Sequence, residues 1–276
     1  MRRWSGVRIV GLAAVAVVGV GVVYQLPASP FDRAAKPEQP VVERTQESER
    51  PVAATPKPKP SMGGEQASKV PERPVPAITY PSRGTVKFTV LPADPEREVL
   101  GASGKLFRFQ IAIEGGIKGI DNAALAKFVR ETYGAVNGWT AGGKFRFQQV
   151  GPGEASDFRL MFVTPETRDT YCGYAPDRYT SCRIGDRVVL NIARWVHGVP
   201  NYGAPLLTYR KYMINHETGH RLGYAHQLCP GAGQPAPVMQ QQTLGLHGCV
   251  ANQSPYRNGA LYRGPLGKYD DSIPTS

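Results

Sequence analysis

The sequence predicts a mixed α/β domain of the α+β kind, in which a twisted mixed sheet and a backing helix precede a second helix that carries ionisable residues. Four segments between Lys105 and Trp195 have the alternating or continuous apolar patterns of β-strands. Two other segments repeat apolar residues at intervals of three and four, which is typical of amphipathic helices. The predicted domain covers 83–276, about 190 residues, which is ample for one hydrophobic core.

The first 28 residues, Met1–Ala28, have the pattern of an export signal or a membrane anchor. Three arginines precede an uncharged run, Ile9–Tyr24, which is slightly long for a signal peptide and slightly short for a membrane span, so its length does not decide between them. Leu26-Pro27-Ala28 matches a cleavage site only loosely. We therefore expect an uncleaved signal anchor that holds the protein in the membrane and places the rest outside the cytoplasm. Cleavage, which would release a secreted protein, is the alternative.

Residues 29–82 predict a linker, because proline, glutamate, lysine, serine and alanine dominate and cannot form a core. A proline-lysine alternation at 56–60 favours a semi-extended spacer.

The net charge of +11 is spread over linker and domain. A charge of this size attracts anionic lipid headgroups and envelope polymers. The sequence has no nucleic-acid motif and no patch of interleaved aromatic and basic residues, so we expect no nucleic-acid partner.

Three predicted strands alternate apolar and polar residues: Lys105–Glu114, Lys144–Val150 and Asp157–Val163. Arg187–Trp195 is a more continuous apolar run and predicts a buried strand.

A helix is predicted at Asn122–Asn137, with Asp121 as its N-cap. The residues spaced for its buried face are Leu125, Phe128, Val129 and Val136.

The second helix leads into the most informative part of the sequence. Pro205 suits a first helical turn, and apolar residues at intervals of three and four follow it.

Residues 216–226 then read HETGHRLGYAH. His216 and His220, four residues apart, lie on one helical face, and Glu217 flanks them. Gly223 permits the left-handed turn that brings His226 back to the same point. His197 and His247 lack this spacing, and we expect both in loops or at the surface.

The full pattern, H-E-x-x-H-x-x-G-x-x-H, resembles that of the metzincin metallopeptidases. This resemblance implies a zinc ion held by His216, His220 and His226, with Glu217 as the general base. It also implies a methionine-bearing turn beneath the metal, for which Met239 in Pro235–Met239 is the candidate. Gln241 stands where some metzincins have a tyrosine ligand, while Tyr256 and Tyr262 lie further along the chain. The segments 212–220, YMINHETGH, and 229–239, CPGAGQPAPVM, also resemble those of a group of exported actinobacterial proteins with a metzincin-like zinc signature. This resemblance covers the chain from about Arg83 onwards.

The four cysteines belong to the predicted domain, and an exported protein permits disulfide bonds. Pairing by proximity joins Cys172 to Cys182 and Cys229 to Cys249, which is one of three possible connectivities.

The resemblance implies an extracytoplasmic zinc metalloendopeptidase with a peptide or protein substrate. Zinc-activated water would attack the peptide bond after Glu217 takes its proton. An extended substrate would pair with an edge strand between Asp157 and Trp195. Two alternatives remain open from sequence: an inactive, zinc-stabilised binding module of the cell envelope, and hydrolysis of a non-standard amide such as a cell-wall peptide cross-link.

Overall fold

The computed structural model describes residues 77–173 and 177–275. They form a mixed α/β fold with a seven-stranded mixed sheet, four α-helices and a small hairpin. Met1–Ala28 and most of the predicted linker lie outside the described residues. None of the described helices has the length and apolar character that crossing a membrane requires.

The sheet is parallel at its centre and antiparallel at its edges. Its strands are β1 (Phe88–Val90), β2 (Val99–Leu100), β3 (Lys105–Glu114), β4 (Phe145–Gln149), β5 (Phe158–Val163), β6 (Cys182–Ile184) and β7 (Arg187–Asn191). The strand order is β2-β4-β3-β5-β7-β6, with β1 paired to β3. The pairs β3–β4, β3–β5 and β5–β7 are parallel, whereas β6 runs antiparallel to β7 at the edge.

One face of the sheet carries the main hydrophobic core. Register pairs Phe109 with Phe158, so both point to the same face, and neither is more than 1% exposed. Helices α1 (Asn122–Gly134) and α4 (Leu206–Arg221) supply buried residues to this core. Tyr133 of α1 packs its ring edge-on against Phe109, with 5.0 Å between ring centroids. Burial of this shared core holds α1 and α4 against the sheet. Helix α4 is the one that carries His216 and His220.

The other face is covered in part by helix α2 (Pro165–Cys172), which packs near Met161 and Val189. A short helix, α3 (Ile192–His197), follows β7, and the hairpin strands β8 (Tyr256–Arg257) and β9 (Ala260–Leu261) come after α4.

The strand predictions agree with β3, β4 and β5 to within a residue. The prediction for Arg187–Trp195 is wrong in its second half. The strand stops at Asn191, whose side chain accepts a hydrogen bond from the backbone N–H of Ala193 and so caps α3.

Asp121 caps α1 as predicted, accepting from the backbone N–H of Ala124 at 3.0 Å. The helix nevertheless ends at Gly134, and Val136, predicted to be buried, is 96% exposed. The backbone leaves helical geometry at Ala135, and the N–H of Gly138 closes a turn on the Ala135 carbonyl at 2.8 Å.

A tight turn packs beneath α4. The N–H of Gln240 donates to the carbonyl of Pro237 at 2.9 Å, which closes the turn and places Met239 near its tip. Met239 is 2% exposed, and its sulfur lies so close to Gly219 of α4 that a Cβ atom at Gly219 would overlap it. Glycine is therefore needed at position 219 because α4 and the Met239 turn lie too close together for a side chain, and not because of its own backbone angles.

We predict that Gly219→Ala lowers the free energy of unfolding by about 1–3 kcal/mol, because the new methyl group overlaps Met239. At a helix position without such a neighbour, the same change would raise stability by roughly 0.5–1 kcal/mol. Urea unfolding of the full chain measures the effect.

A double-mutant cycle with Met239→Ala supplies the control. The cost of Gly219→Ala should shrink when the sulfur is absent. An equal cost in both backgrounds would show that overlap with Met239 is not the cause.

Candidate metal centre

Helix α4 presents three polar side chains near its C-terminal end. His216 and Glu217 are 5% and 6% exposed, and His220 is partly buried. Tyr133 lies behind them, and its hydroxyl is 2.8 Å from that of Thr218. The buried contact holds this part of α4 against α1, so the side chains that face the cavity start from a fixed backbone.

The chain turns back sharply after α4. Gly223 has φ 95°, in the region that glycine adopts readily, as the sequence predicts. The N–H of Tyr224 donates to the carbonyl of Gly219 at 2.9 Å. This turn returns His226 to the face that carries His216 and His220.

The three imidazole rings converge on one point. The Nε2 atom of His220 is 3.2 Å from that of His216 and 2.9 Å from that of His226. One ligand atom from each ring lies within 4.8 Å of the other two. Nitrogen ligands about 2.0–2.1 Å from a tetrahedral ion would themselves be about 3.3 Å apart. The observed spacing fits a single metal ion.

Hydrogen bonds fix the tautomers of two of these rings. His216 Nδ1 is 2.8 Å from the carbonyl of Val238, and His220 Nδ1 is 2.9 Å from that of Tyr224. A carbonyl oxygen only accepts, so each Nδ1 carries a proton, and in a neutral ring Nε2 keeps its lone pair. Two lone pairs 3.2 Å apart repel one another unless a cation lies between them. The Nε2 atoms of His216 and His220 are thus oriented and protonated as metal-binding nitrogens are.

Burial keeps the three rings neutral. It lowers the pKa of His216 well below its usual value, with the neighbouring histidines adding to the effect, and it lowers the pKa of His220. For His226, burial lowers the pKa to about 4. Neutral imidazole is the form that binds metals, so these nitrogens do not need to lose a proton at neutral pH.

The turn beneath the rings is anchored on both sides. Val238 supplies the carbonyl that orients His216, and the N–H of Gln227, next to His226, donates to the carbonyl of Met239 at 3.1 Å. Tyrosine hydroxyls also tie the turn region to α4 and the segment before it: Tyr212 to the carbonyl of Gln240, Tyr209 to the hydroxyl of Thr243, and Tyr202 to the side chain of Gln242. The ligands and their supports therefore form one packed unit.

The cysteines pair as proximity suggests, Cys172 with Cys182 and Cys229 with Cys249. The second disulfide closes a loop that starts just after His226 and includes Met239. It restrains this turn covalently in addition to the hydrogen bonds.

Glu217 lines the same cavity as the histidines and makes no hydrogen bond or ion pair with the described residues. Burial raises the pKa of its carboxyl group to about 8, and the positive charges of Arg168 and Arg183 oppose that shift. A buried carboxyl group with no protein partner beside three convergent nitrogens is available to a bound molecule.

The cavity measures about 680 Å³. Residues around the three histidines come from the edge strand β6, from the loop before it and from the segment 268–273. Sequence reasoning missed α2, β6 and Arg168. Thr164-Pro165-Glu166 is a helix-start signal that could have revealed α2. The three-residue strand β6 has no comparable signal.

The remaining sequence candidates lie in different places. Gln241 lines the cavity, whereas Tyr256 and Tyr262 do not. The Tyr262 hydroxyl donates to the carbonyl of Pro235. His197 is exposed on α3, and His247 pairs with Asp271 at 2.9 Å.

Residues 75–255 match the sequence profile of a family described as a protein of unknown function, DUF3152. The chain belongs to the DUF3152 family. The matched part contains His216, His220, His226 and Glu217, whereas the cavity-lining segment 268–273 of this DUF3152 protein lies beyond it. No curated protein and no solved structure matches the chain.

We predict that His226→Ala lowers the amount of divalent metal retained after dialysis, because two imidazoles remain where three converge. Mass-spectrometric metal analysis of the full chain measures the stoichiometry. His197→Ala, which removes an exposed histidine that does not line the cavity, is the matched control and should retain metal like the wild type. Unchanged metal content in His226→Ala would remove His226 from the ligand set.

Proposed function

We propose that this DUF3152 protein is an extracytoplasmic zinc metallopeptidase of the metzincin type. The observation that carries the proposal is the convergence of three imidazole Nε2 atoms beside Glu217, a buried carboxyl group that has no partner among the described residues. This combination of ligands and a free acid/base group is typical of zinc hydrolases.

Zinc suits the donor set better than the common alternatives. Imidazole nitrogen excludes magnesium and calcium as preferred ions, since both favour oxygen ligands. Three protein ligands in an accessible cavity are typical of catalytic zinc, whereas structural zinc usually has four. Zinc held by His216, His220 and His226 would lower the pKa of a water molecule and polarise a substrate carbonyl.

Glu217 is placed to move protons in the reaction. It follows His216 directly on α4 and lines the cavity that the three rings share. The positive charge of a bound metal ion would favour the ionised form of Glu217, opposite to the effect of burial on its pKa. In the proposed mechanism the carboxylate accepts a proton from the attacking water and then passes that proton to the leaving amine. Because the described residues offer it no hydrogen-bond partner, it has no protein contact to break before it acts.

The edge strand β6 offers a site for an extended peptide. Cys182 and Arg183 of this strand line the cavity. Within the described residues, β6 pairs only with β7, so its outer edge has free backbone groups. A peptide that adds to this edge gains main-chain hydrogen bonds while it passes the ligands.

The turn at Met239 supports the metzincin interpretation. Its sulfur packs against Gly219, and its neighbour Val238 orients His216. These contacts match what the resemblance implies for a methionine-bearing turn beneath the metal. Gln241 lines the cavity in place of a tyrosine, so we propose no tyrosine ligand at that position.

The two disulfide bonds favour an oxidising compartment outside the cytoplasm. The predicted signal anchor Met1–Ala28 and the linker would hold the enzyme at the membrane, near the anionic polymers of the envelope. Its principal partner would be a peptide or protein substrate.

We predict that Glu217→Gln binds zinc normally and loses hydrolysis of a diverse peptide library by about 100-fold or more, since it cannot accept a proton. Mass-spectrometric detection of cleavage products and metal analysis measure the two properties. Glu131→Gln, at an exposed position of α1, should behave like the wild type.

Equal turnover by Glu217→Gln and the wild type would refute the role of Glu217 as a general base. If the wild type binds zinc, needs it to fold and cleaves no peptide, the protein is a zinc-stabilised binding module.

A further inference from the structure

Two positively charged side chains in the metal cavity have no partner among the described residues. Arg183 and Lys268 both line the cavity, and neither makes an ion pair or a hydrogen bond with the rest of the described structure. Arg168, the third cation of the cavity, differs because it forms ion pairs with Asp177 and Asp169.

The carboxylates of the cavity do not neutralise Arg183. Asp177 belongs to the Arg168 cluster, and Asp271 pairs with His247 at 2.9 Å. Asp270 is exposed on the same segment as Lys268 and forms no ion pair with it. Glu217, the remaining acidic residue of the cavity, forms no ion pair with Arg183 either. Arg183 therefore has no ion-pair partner among the described residues.

Strand register directs Arg183 to the side of the sheet that carries α4. Arg183 pairs with Val188 across the β6–β7 ladder, and directly paired residues share a face. Val188 belongs to the core beneath α4 and is fully buried. Ile184 and its partner Arg187 point to the opposite face. Arg183 thus lies on the same side as the metal ligands, at the strand proposed to bind substrate.

Lys268 belongs to a segment that is hydrogen-bonded to the loop that carries His226. The N–H of Gly267 donates to the carbonyl of His226 at 3.1 Å, and the N–H of Leu228 donates to that of Pro265 at 2.8 Å. One residue later, Tyr269 stacks on His247 with 3.4 Å between ring centroids. These contacts fix the backbone on both sides of Lys268 while its side chain stays exposed.

Both cations border the cavity that holds the proposed ligands. Arg183 and Lys268 line it together with Glu217, His220 and His226. Both charges therefore act at the place where a substrate would be cleaved.

We propose that the cavity selects substrates that carry a carboxylate group close to the bond that is cleaved, with Arg183 as the main recognition residue and Lys268 as the second. This inference rests on the proposed peptidase function and names its substrate class. A guanidinium group binds a carboxylate with two parallel hydrogen bonds, which gives specificity as well as attraction. The carboxylate belongs either to an acidic side chain or to the C-terminus of a short peptide.

The test compares matched peptides on the zinc-loaded full chain. One pair differs by glutamate against glutamine next to the cleaved bond, and a second pair differs by a free against an amidated C-terminus. We expect kcat/KM to favour one carboxylate-bearing member about tenfold, as for one charge-assisted contact at a partly exposed site. The pair that shows the preference identifies the source of the carboxylate.

Arg183→Gln should bring the preference close to one, and Lys268→Gln should reduce it less. Arg187→Gln is the matched control, because it removes an exposed arginine from the adjacent strand on the opposite face. It should keep the full preference. Arg183→Lys, which keeps the charge but loses the planar fork, should retain part of it. Circular dichroism and zinc content verify that each variant folds.

Binding to zinc-loaded Glu217→Gln, measured by fluorescence anisotropy with the same labelled peptides, separates the two proposals. Cleavage without any preference for a carboxylate would overturn the inference and leave the peptidase intact. Selective binding of carboxylate peptides that Arg183→Gln abolishes would support the inference even if the wild type cleaved none of them. Loss of the preference in Arg187→Gln to the same extent as in Arg183→Gln would overturn the role of Arg183.

Discussion

The convergence of three neutral imidazoles on one point is the constraint on which the rest of this structure depends. The Nε2 atom of His220 is 2.9 Å from that of His226 and 3.2 Å from that of His216. In His216 and His220 both Nε2 atoms keep a lone pair, and a cation between them would relieve the repulsion of these lone pairs. Keeping the rings there requires that His216 and His220 donate from Nδ1 to fixed carbonyls. The surrounding packing supplies those carbonyls: Val238 from the turn beneath α4, and Tyr224 from the turn after it.

The two sides of the centre are built differently. Beneath the ligands, the Met239 turn is tied by hydrogen bonds, a disulfide and contact with Gly219, so it can resist displacement when a metal binds. The open side is bordered by an edge strand with a free outer edge and by the segment 268–273. The proposed ligands therefore lie in the rigid part of the site, whereas the open side of the cavity is the part that would contact a substrate. The wall segment 268–273 is outside the part of the chain that matches DUF3152, whereas Arg183 is inside it. Substrate preference in this chain would therefore depend on Arg183, which lies within the part that matches the family, and on Lys268, which lies outside it.

The ligand cluster could be predicted from sequence because its determinants are local. A four-residue helical spacing aligns His216 with His220, and Gly223 accounts for the return of His226. Strands β3, β4 and β5 were also predictable, since apolar residues alternate with polar ones along each of them. Val136 was predicted wrongly because apolar periodicity continues past the real helix end at Gly134. The role of Arg183 could not be predicted, since its direction depends on register between two strands. Nor could the sequence show that Lys268 returns to the cavity, because the contacts that hold its segment are long-range.

X-ray absorption spectroscopy at the zinc edge tests the central claim most directly, because it reports the atoms bound to the metal whether or not the protein turns over a substrate. For the zinc-loaded full chain, we expect three imidazole nitrogens at about 2.0–2.1 Å, with the remaining coordination by a light atom and no sulfur. A spectrum with sulfur ligands, or with fewer than three imidazoles, would contradict it.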